Sequence, residues 1–259
     1  MLRRVLALTT QFRLPHEGMA AYEVLSRGSA VLGQRMVDKD ASRLHVLTCA
    51  HVACPWLFPA YYPNDWLEHV DEAYVKHTLS LHDEVTCEKA WEIELEAHVT
   101  LHGSRDLAAL ELNLDKHATS LPTLSGYDLS HLAALDETTT LLYHGHIEPS
   151  SGSITPLVVP GAYFWRNAST RQVFGKSESV LEQGMCGGAV TTKEDVVVGL
   201  IEGIVPEKED ATPAYKTLEN AVAFVPQDDM AAFIHDIEVF PHDANTLFTN
   251  TLGSIGSDD

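Results

Sequence analysis

Three short segments of this 259-residue chain carry side chains that can do covalent chemistry. In residues 183–190, Gln-Gly-Met-Cys-Gly-Gly-Ala-Val, a cysteine sits among glycines and leads into a short apolar strand. Glycines let the backbone turn tightly and aim successive N–H groups at one spot, which suits an oxyanion hole beside a nucleophile. Residues 47–52, Leu-Thr-Cys-Ala-His-Val, supply His51, and residues 106–110, Asp-Leu-Ala-Ala-Leu, supply Asp106. A thiol, an imidazole and a carboxylate are the types that nucleophilic catalysis combines. Their chain order is His51, Asp106, Cys186, with separations of 55 and 80 residues.

The flanking pattern says which elements must deliver these groups. Residues 29–33 and 44–47 read as strands with a turn over 37–42, so His51 follows the end of a strand. Residues 91–101 alternate Trp, Ile, Leu, Ala, Val and Leu with Glu, Glu, Glu, His and Thr, which predicts one strand with a wet face; a turn at 103–105 then presents Asp106. Residues 141–144, 154–159 and 161–165 are further strands. Residues 188–192 and 196–201 make a hairpin through Lys193-Glu194-Asp195, which places Cys186 just before a strand. A helix over 228–237 follows, and 245–259 reads as a mobile tail. Residues 55–90 read as an insertion broken by Pro55, Pro59 and Pro63, rich in aromatic residues; from Asp65 to Glu96 there are ten acids against two lysines.

Composition narrows the function classes. Lys+Arg 17 against Asp+Glu 37 gives a net charge of −20, which argues against direct nucleic-acid binding and allows basic protein partners or plain solubility. No stretch is apolar enough for a membrane-spanning helix. No phosphate-binding loop, dinucleotide fingerprint or metal-ligand spacing occurs, so neither a cofactor nor a metal is expected; His144-Gly145-His146 is the one tight histidine cluster. The four cysteines, Cys49, Cys54, Cys87 and Cys186, suit a reducing compartment, with a Cys54–Cys87 bridge left open. The first 14 residues hold Arg3, Arg4 and Arg13 and no acid, which reads as a mitochondrial leader over 1–19 or as a first strand with a basic start. The expected location is mitochondrial, otherwise cytoplasmic.

Together and in this order, the three segments resemble those of the chymotrypsin/trypsin-like peptidases. That family places its base in a Leu-Thr-Ala-Ala-His type segment, its orienting acid in Asp-Leu-Ala-Leu-Leu and its nucleophile in Gly-Asp/Asn-Ser-Gly-Gly-Pro. The resemblance covers roughly residues 20–240. Here the nucleophile is cysteine, and Gly-x-Cys-Gly-Gly is similar to the picornavirus-type cysteine proteinases of the same fold. Residues 199–201 are Gly-Leu-Ile rather than the Gly-x-His of those enzymes, so their glutamine preference does not carry over. Met185 stands where the family has an acid, which removes the salt bridge of activated zymogens.

The resemblance implies an all-β fold of two six-stranded antiparallel Greek-key barrels with a C-terminal helix. The N-terminal barrel, 20–125, carries His51, Asp106 and the insertion; the C-terminal barrel, 126–240, carries Cys186; residues 241–259 form the tail. It implies His51 as general base, Asp106 as its orienter and Cys186 as nucleophile, with Gly184 and Cys186 N–H groups as the oxyanion hole. A polypeptide substrate would lie as an extended strand beside 198–202. Val180 is expected near the floor of the primary pocket, with Leu200, Ile201 and Glu202 along its wall. Val180 suits an apolar or small side chain, and Glu202 a basic one. The function expected is a cysteine endopeptidase working through a thioacyl-enzyme. The alternative is an inactive homologue that serves as a structural subunit of a larger assembly, for which the acidic aromatic insertion and the charge of −20 speak.

Overall fold

A computed structural model describes residues 5–37, 40–41, 43–112, 124–149, 152–210 and 212–240. The first half holds β1 (Val5–Phe12), β2 (Glu23–Gln34), the small pair β3 (Met36–Val37) and β4 (Asp40–Ala41), β5 (His45–Thr48), the one-turn α1 (Ala50–Ala53), β6 (Val75–His82), β7 (Lys89–Glu94), β8 (Val99–Leu101) and β9 (Ala108–Glu111). The second half holds β10 (Tyr127–Asp128), β11 (Thr140–Ile147), β12 (Thr155–Arg166), β13 (Val173–Ser177), β14 (Ala189–Thr192), β15 (Val197–Ile204), α2 (Pro213–Lys216), β16 (Val222–Pro226) and α3 (Gln227–Val239).

β11-β12-β13-β16-β15-β14 form a closed antiparallel barrel. The first sheet runs β7-β6-β1-β2-β5-β9-β8, with β10 added parallel to β2, and its ladder is not closed. The predicted single strand over 91–101 is the reason. It splits into β7 and β8, which lie at opposite edges of that sheet. The chain changes partner between consecutive residues: Leu95 N–H donates to His77 on β6, and Glu96 N–H donates to Glu111 on β9. One bent pass therefore serves both edges. A two-residue alternation reports extended backbone and one wet face, but not which neighbour each half pairs with.

Two boundaries are corrected. Only 55–74 behaves as an insertion, in three 3-10 turns at Pro55–Leu57, Asp65–His69 and Glu72–Tyr74. Residues 75–82 are instead β6, paired with β1 on one side and β7 on the other. Its polar His77, Thr78, Ser80 and His82 are buried, which masked a sheet strand behind a polar sequence. Residues 154–159 and 161–165 are the single long strand β12. Residues 5–12, inside the segment read as a leader, form a strand held between β2 and β6, with Leu6 and Leu8 fully buried. Part of the turn over 37–42, residues 113–123 and the tail lie outside the described residues.

The core ties the two sheets together. Leu6, Leu8, Leu32, Val46 and Leu47 of the first sheet share one buried cluster with Leu200, Val225, Met230, Phe233 and Ile234. The last three recur at helical spacing on α3, so the helix lays one apolar stripe across the junction. Each such side chain contributes about 1.5–3 kcal/mol when buried. A second cluster, including Tyr143, Val190, Phe224 and Met185, fills the closed barrel. All four cysteines are free thiols, so Cys54 and Cys87 are unpaired. Among the described residues no helix is long and apolar enough to cross a membrane.

Candidate active site

His51 sits in α1, directly after β5. A single helical turn leaves its last carbonyls without intrahelical partners. Here Thr10 of β1 and Ser26 of β2 both donate to the Val52 carbonyl, at 2.8 and 2.7 Å, and His77 Nε2 bonds the Ala53 carbonyl at 2.8 Å. The turn is clamped by the sheet beneath it, and β1 supplies part of the clamp. Asp106 enters from the turn before β9. Its neighbour Arg105 is pinned to Asp229 of α3 through Nε at 2.8 Å and a terminal nitrogen at 2.7 Å.

Asp106 grips His51 twice. One oxygen accepts the His51 backbone N–H at 2.9 Å, and the other bonds ring Nδ1 at 2.5 Å. That leaves the second ring nitrogen, Nε2, uncommitted by Asp106, and Cys186 is near enough to act on the imidazole. Burial pulls the His51 pKa down, but the hydrogen bonds to Asp106 and Cys186 and the charges of both outweigh it and push it up to about 10.

The loop that carries Cys186 is fixed by Ser29 of β2. The Ser29 hydroxyl donates to the Gly184 carbonyl at 2.9 Å and accepts the His146 backbone N–H at 2.8 Å. The Ser29 N–H donates to the Cys186 carbonyl at 2.8 Å, and Thr48 holds the Ser29 carbonyl at 2.7 Å. Gly184 and Gly187 take φ of +104° and +84°, a region costly for any other residue type. A Cβ on Gly187 would lie 2.1 Å from the Ser29 oxygen, so glycine is also required for close approach. Among the described residues, neither the Gly184 nor the Cys186 N–H has a hydrogen-bond partner.

Several expected residues fall elsewhere. Val180 is 71% exposed, which is not the setting of a pocket floor. Leu200 is fully buried in the core between the sheets and lines no wall. Ile201 is buried too, and its carbonyl accepts the Gly187 N–H at 2.8 Å and the Cys49 thiol at 3.1 Å. β15 is paired with β14 as far as Leu200, and Ile201 N–H donates to Gly188; only from Glu202 onward does β16 remain its sole partner among the described strands. Glu202 does line a cavity, next to the pair formed by His51 and Asp106. His144 bonds Thr191, and among the described residues the histidine cluster gathers no metal-ligand set.

Three features went unread in the sequence. The thiol whose Sγ clusters within 4.8 Å of ligand atoms of His51 and Asp106 is Cys49, not Cys186. Those atoms could approach a soft metal ion, but the imidazole and carboxylate already bond each other and the thiol bonds Ile201. Cys49 is fully buried and burial pushes its thiol well up, so it is the inert one of the two; Cys186 is half-buried. Second, Tyr61 of the insertion stacks on the His51 ring, centroids 4.8 Å apart and planes within 13°. Third, Tyr61 and Tyr62 wall two different cavities. One of about 370 Å³ holds Tyr61, Gln172 and Glu202; one of about 280 Å³ holds Tyr62, Ser26, Gln183 and Gly184, with the Arg27–Glu148 ion pair on its edge.

The closed barrel and the cluster of Cys49, His51 and Asp106 are loosely compatible with a chymotrypsin-like fold. In comparisons with known proteins, the chain matches no protein-family model and no curated protein.

Proposed function

We propose that this chain is a chymotrypsin-fold cysteine endopeptidase in which His51, Asp106 and Cys186 act as the triad. The observation that carries the reading is the double grip of Asp106 on His51, which orients the ring and leaves its other nitrogen uncommitted by Asp106, with Cys186 acting on the same imidazole. The bent pass over 89–101, with Leu95 and Glu96 bonded to opposite edges, supports reading the first sheet as the family's other barrel.

The chemistry follows from that arrangement. As its thiol proton passes to His51 Nε2, the Cys186 sulfur adds to the scissile carbonyl carbon, and the oxygen takes up the negative charge. The free N–H groups of Gly184 and Cys186 are the donors for that oxyanion, held without reorganisation by the ties of Ser29. As the tetrahedral adduct collapses, the C–N bond breaks and His51 Nε2–H gives its proton to the leaving amine. A thioester remains. The now neutral imidazole takes a proton from water, whose oxygen attacks the thioester; the C–S bond breaks, the acid leaves and His51 hands the proton to the departing sulfur. Asp106 stays ionised and fixes the ring throughout.

A second reading has one observation in its favour. Tyr61 lies flat on His51, so the insertion partly covers the site, as in an inactive homologue that serves as a structural subunit. Tyr61 is also 63% exposed, which suits a cover that is free to move aside. Cleavage of an unfolded protein mixture separates the two. Terminal mapping of new peptides should show cleavage by the wild type and by Cys49→Ala and none by Cys186→Ala. No cleavage by the wild type, or undiminished cleavage by Cys186→Ala, sinks the triad reading.

A further inference from the structure

Two thiols meet at this site, and the chemistry above uses only one of them. Cys49 follows β5 in the first half of the chain, and Cys186 precedes β14 in the second. The Cys49 thiol donates to the Ile201 carbonyl at 3.1 Å, and the same carbonyl accepts the Gly187 N–H at 2.8 Å. The Cys49 sulfur therefore lies beside the peptide that joins Cys186 to Gly187. The backbones meet there as well: a Cβ on Gly187 would sit 2.3 Å from Oγ1 of Thr48, the residue before Cys49. Cys186 packs against the buried cluster that contains Cys49. The Cys49 sulfur clusters within 4.8 Å of ligand atoms of His51 and Asp106, and Cys186 acts on the same imidazole.

The two differ in access. Cys49 is fully buried, whereas Cys186 is half-buried. Burial first, and then the charges of Asp106 and Cys186, push the Cys49 thiol well up. A reagent from solution meets Cys186 first, and Cys49 reacts only with what Cys186 carries. An accessible thiol beside an imidazole, with a second thiol behind it, is the arrangement that captures an oxidised sulfur before it is oxidised further. We infer, on the reading that His51 activates Cys186, that the pair is a reversible modification site: a hydroperoxide oxidises Cys186, and Cys49 resolves it as a Cys49–Cys186 disulfide.

The Cys186 thiol proton passes to His51, and the sulfur takes the terminal hydroxyl of the hydroperoxide. The O–O bond breaks, and the other oxygen leaves with the proton from His51, as water or an alcohol. Cys186 is then a sulfenic acid. The Cys49 sulfur attacks the Cys186 sulfur, the S–O bond breaks, and the hydroxide leaves with the Cys49 proton as water. The two thiols lose two electrons in all, and the hydroperoxide takes them. While bridged, Cys186 can attack no carbonyl and is kept from the irreversible sulfinic acid. A dithiol reopens the bridge by exchange.

The test treats the folded full chain with a small excess of hydrogen peroxide near neutral pH. Peptide mapping without reduction should show Cys49 linked to Cys186, and dithiothreitol should restore iodoacetamide labelling of Cys186. In Cys49→Ala, Cys186 should pass on to sulfinic acid, and the labelling recovered after dithiothreitol should fall roughly fivefold or more. Cys54→Ala should behave as the wild type. Mapping of the wild type decides by itself if Cys49→Ala does not fold. Oxidised Cys186 beside a free Cys49 thiol, a bridge to Cys54 or Cys87, or recovery that Cys49→Ala leaves unchanged overturns the inference. Cleavage of an unfolded protein mixture by the same wild-type preparation separates this claim from its parent. Cleavage without a bridge overturns the thiol pair and leaves the peptidase. A bridge in a chain that cleaves nothing overturns the peptidase and keeps the thiol pair.

Discussion

Replacing Ser29 by alanine separates the two roles proposed for one loop. The hydroxyl is fully buried and bridges the Gly184 carbonyl and the His146 N–H at 2.9 and 2.8 Å. Its loss leaves two backbone groups without a partner, at about 1–3 kcal/mol each. Both residues also line the cavity of about 280 Å³, from which water can re-satisfy part of the loss. The expected destabilisation is therefore about 2–3 kcal/mol, which a domain of ordinary stability survives. The Ser29 backbone bonds to Cys186 and Thr48 remain, as does the grip of Asp106 on His51. Alkylation of Cys186 by iodoacetamide forms no oxyanion, so its rate should stay within a factor of about two. Hydrolysis of a peptide or thioester substrate needs the Gly184 N–H aimed, and kcat/KM should fall roughly 10- to 100-fold, short of the loss on deleting a donor outright. Urea unfolding, alkylation and turnover on the same preparation give the three numbers. A cost below about 0.5 kcal/mol, or alkylation falling as far as turnover, would refute the role given to Ser29.

Other perturbations have equally definite outcomes. Gly187→Ala puts a Cβ 2.1 Å from the Ser29 oxygen at φ +84°, and should lower stability by about 2–4 kcal/mol in urea unfolding. Thr10→Ala and Ser26→Ala each leave the Val52 carbonyl one donor, so each should cost about 1 kcal/mol or less, while the double variant should exceed their sum; strict additivity contradicts the clamp. His51 has a folded pKa raised from 6.5 to about 10, so the stability it contributes is complete below about pH 6.5 and is lost as pH rises through about 10. Thermal melts should fall across that window in the wild type and flatten in Asp106→Asn, and kcat/KM should decline on the alkaline side near pH 10.

The residues of the proposed site stand out in the sequence because each lies in a short local pattern. His51 follows an apolar strand, Asp106 begins one, and Cys186 sits in a glycine turn before a hairpin. The β14–β15 hairpin and α3 were legible for the same reason, since period and turn chemistry are local. What the sequence hid is long-range. β6 looks like a polar insertion because its His77, Thr78, Ser80 and His82 find partners or cover from elements far away in the chain. The split of 89–101 depends on which edge each half meets, which no alternation encodes. Val180 and Leu200 were placed by chain proximity to the nucleophile, but one lies on an open loop and the other faces the inter-sheet core. Cys49 and Tyr61 approach His51 from a neighbouring residue and from the insertion, and only three-dimensional placement reveals either contact.

The central claim is that Cys186, rather than Cys49, is the thiol that His51 activates. Iodoacetamide labelling near neutral pH, with peptide mapping, reads this directly in the wild type and in His51→Ala. The account predicts fast labelling of Cys186 that slows by roughly tenfold or more without the imidazolium, and no labelling of Cys49 in the folded chain. Slow labelling of Cys186 that His51→Ala leaves unchanged, or preferential labelling of Cys49, would contradict it.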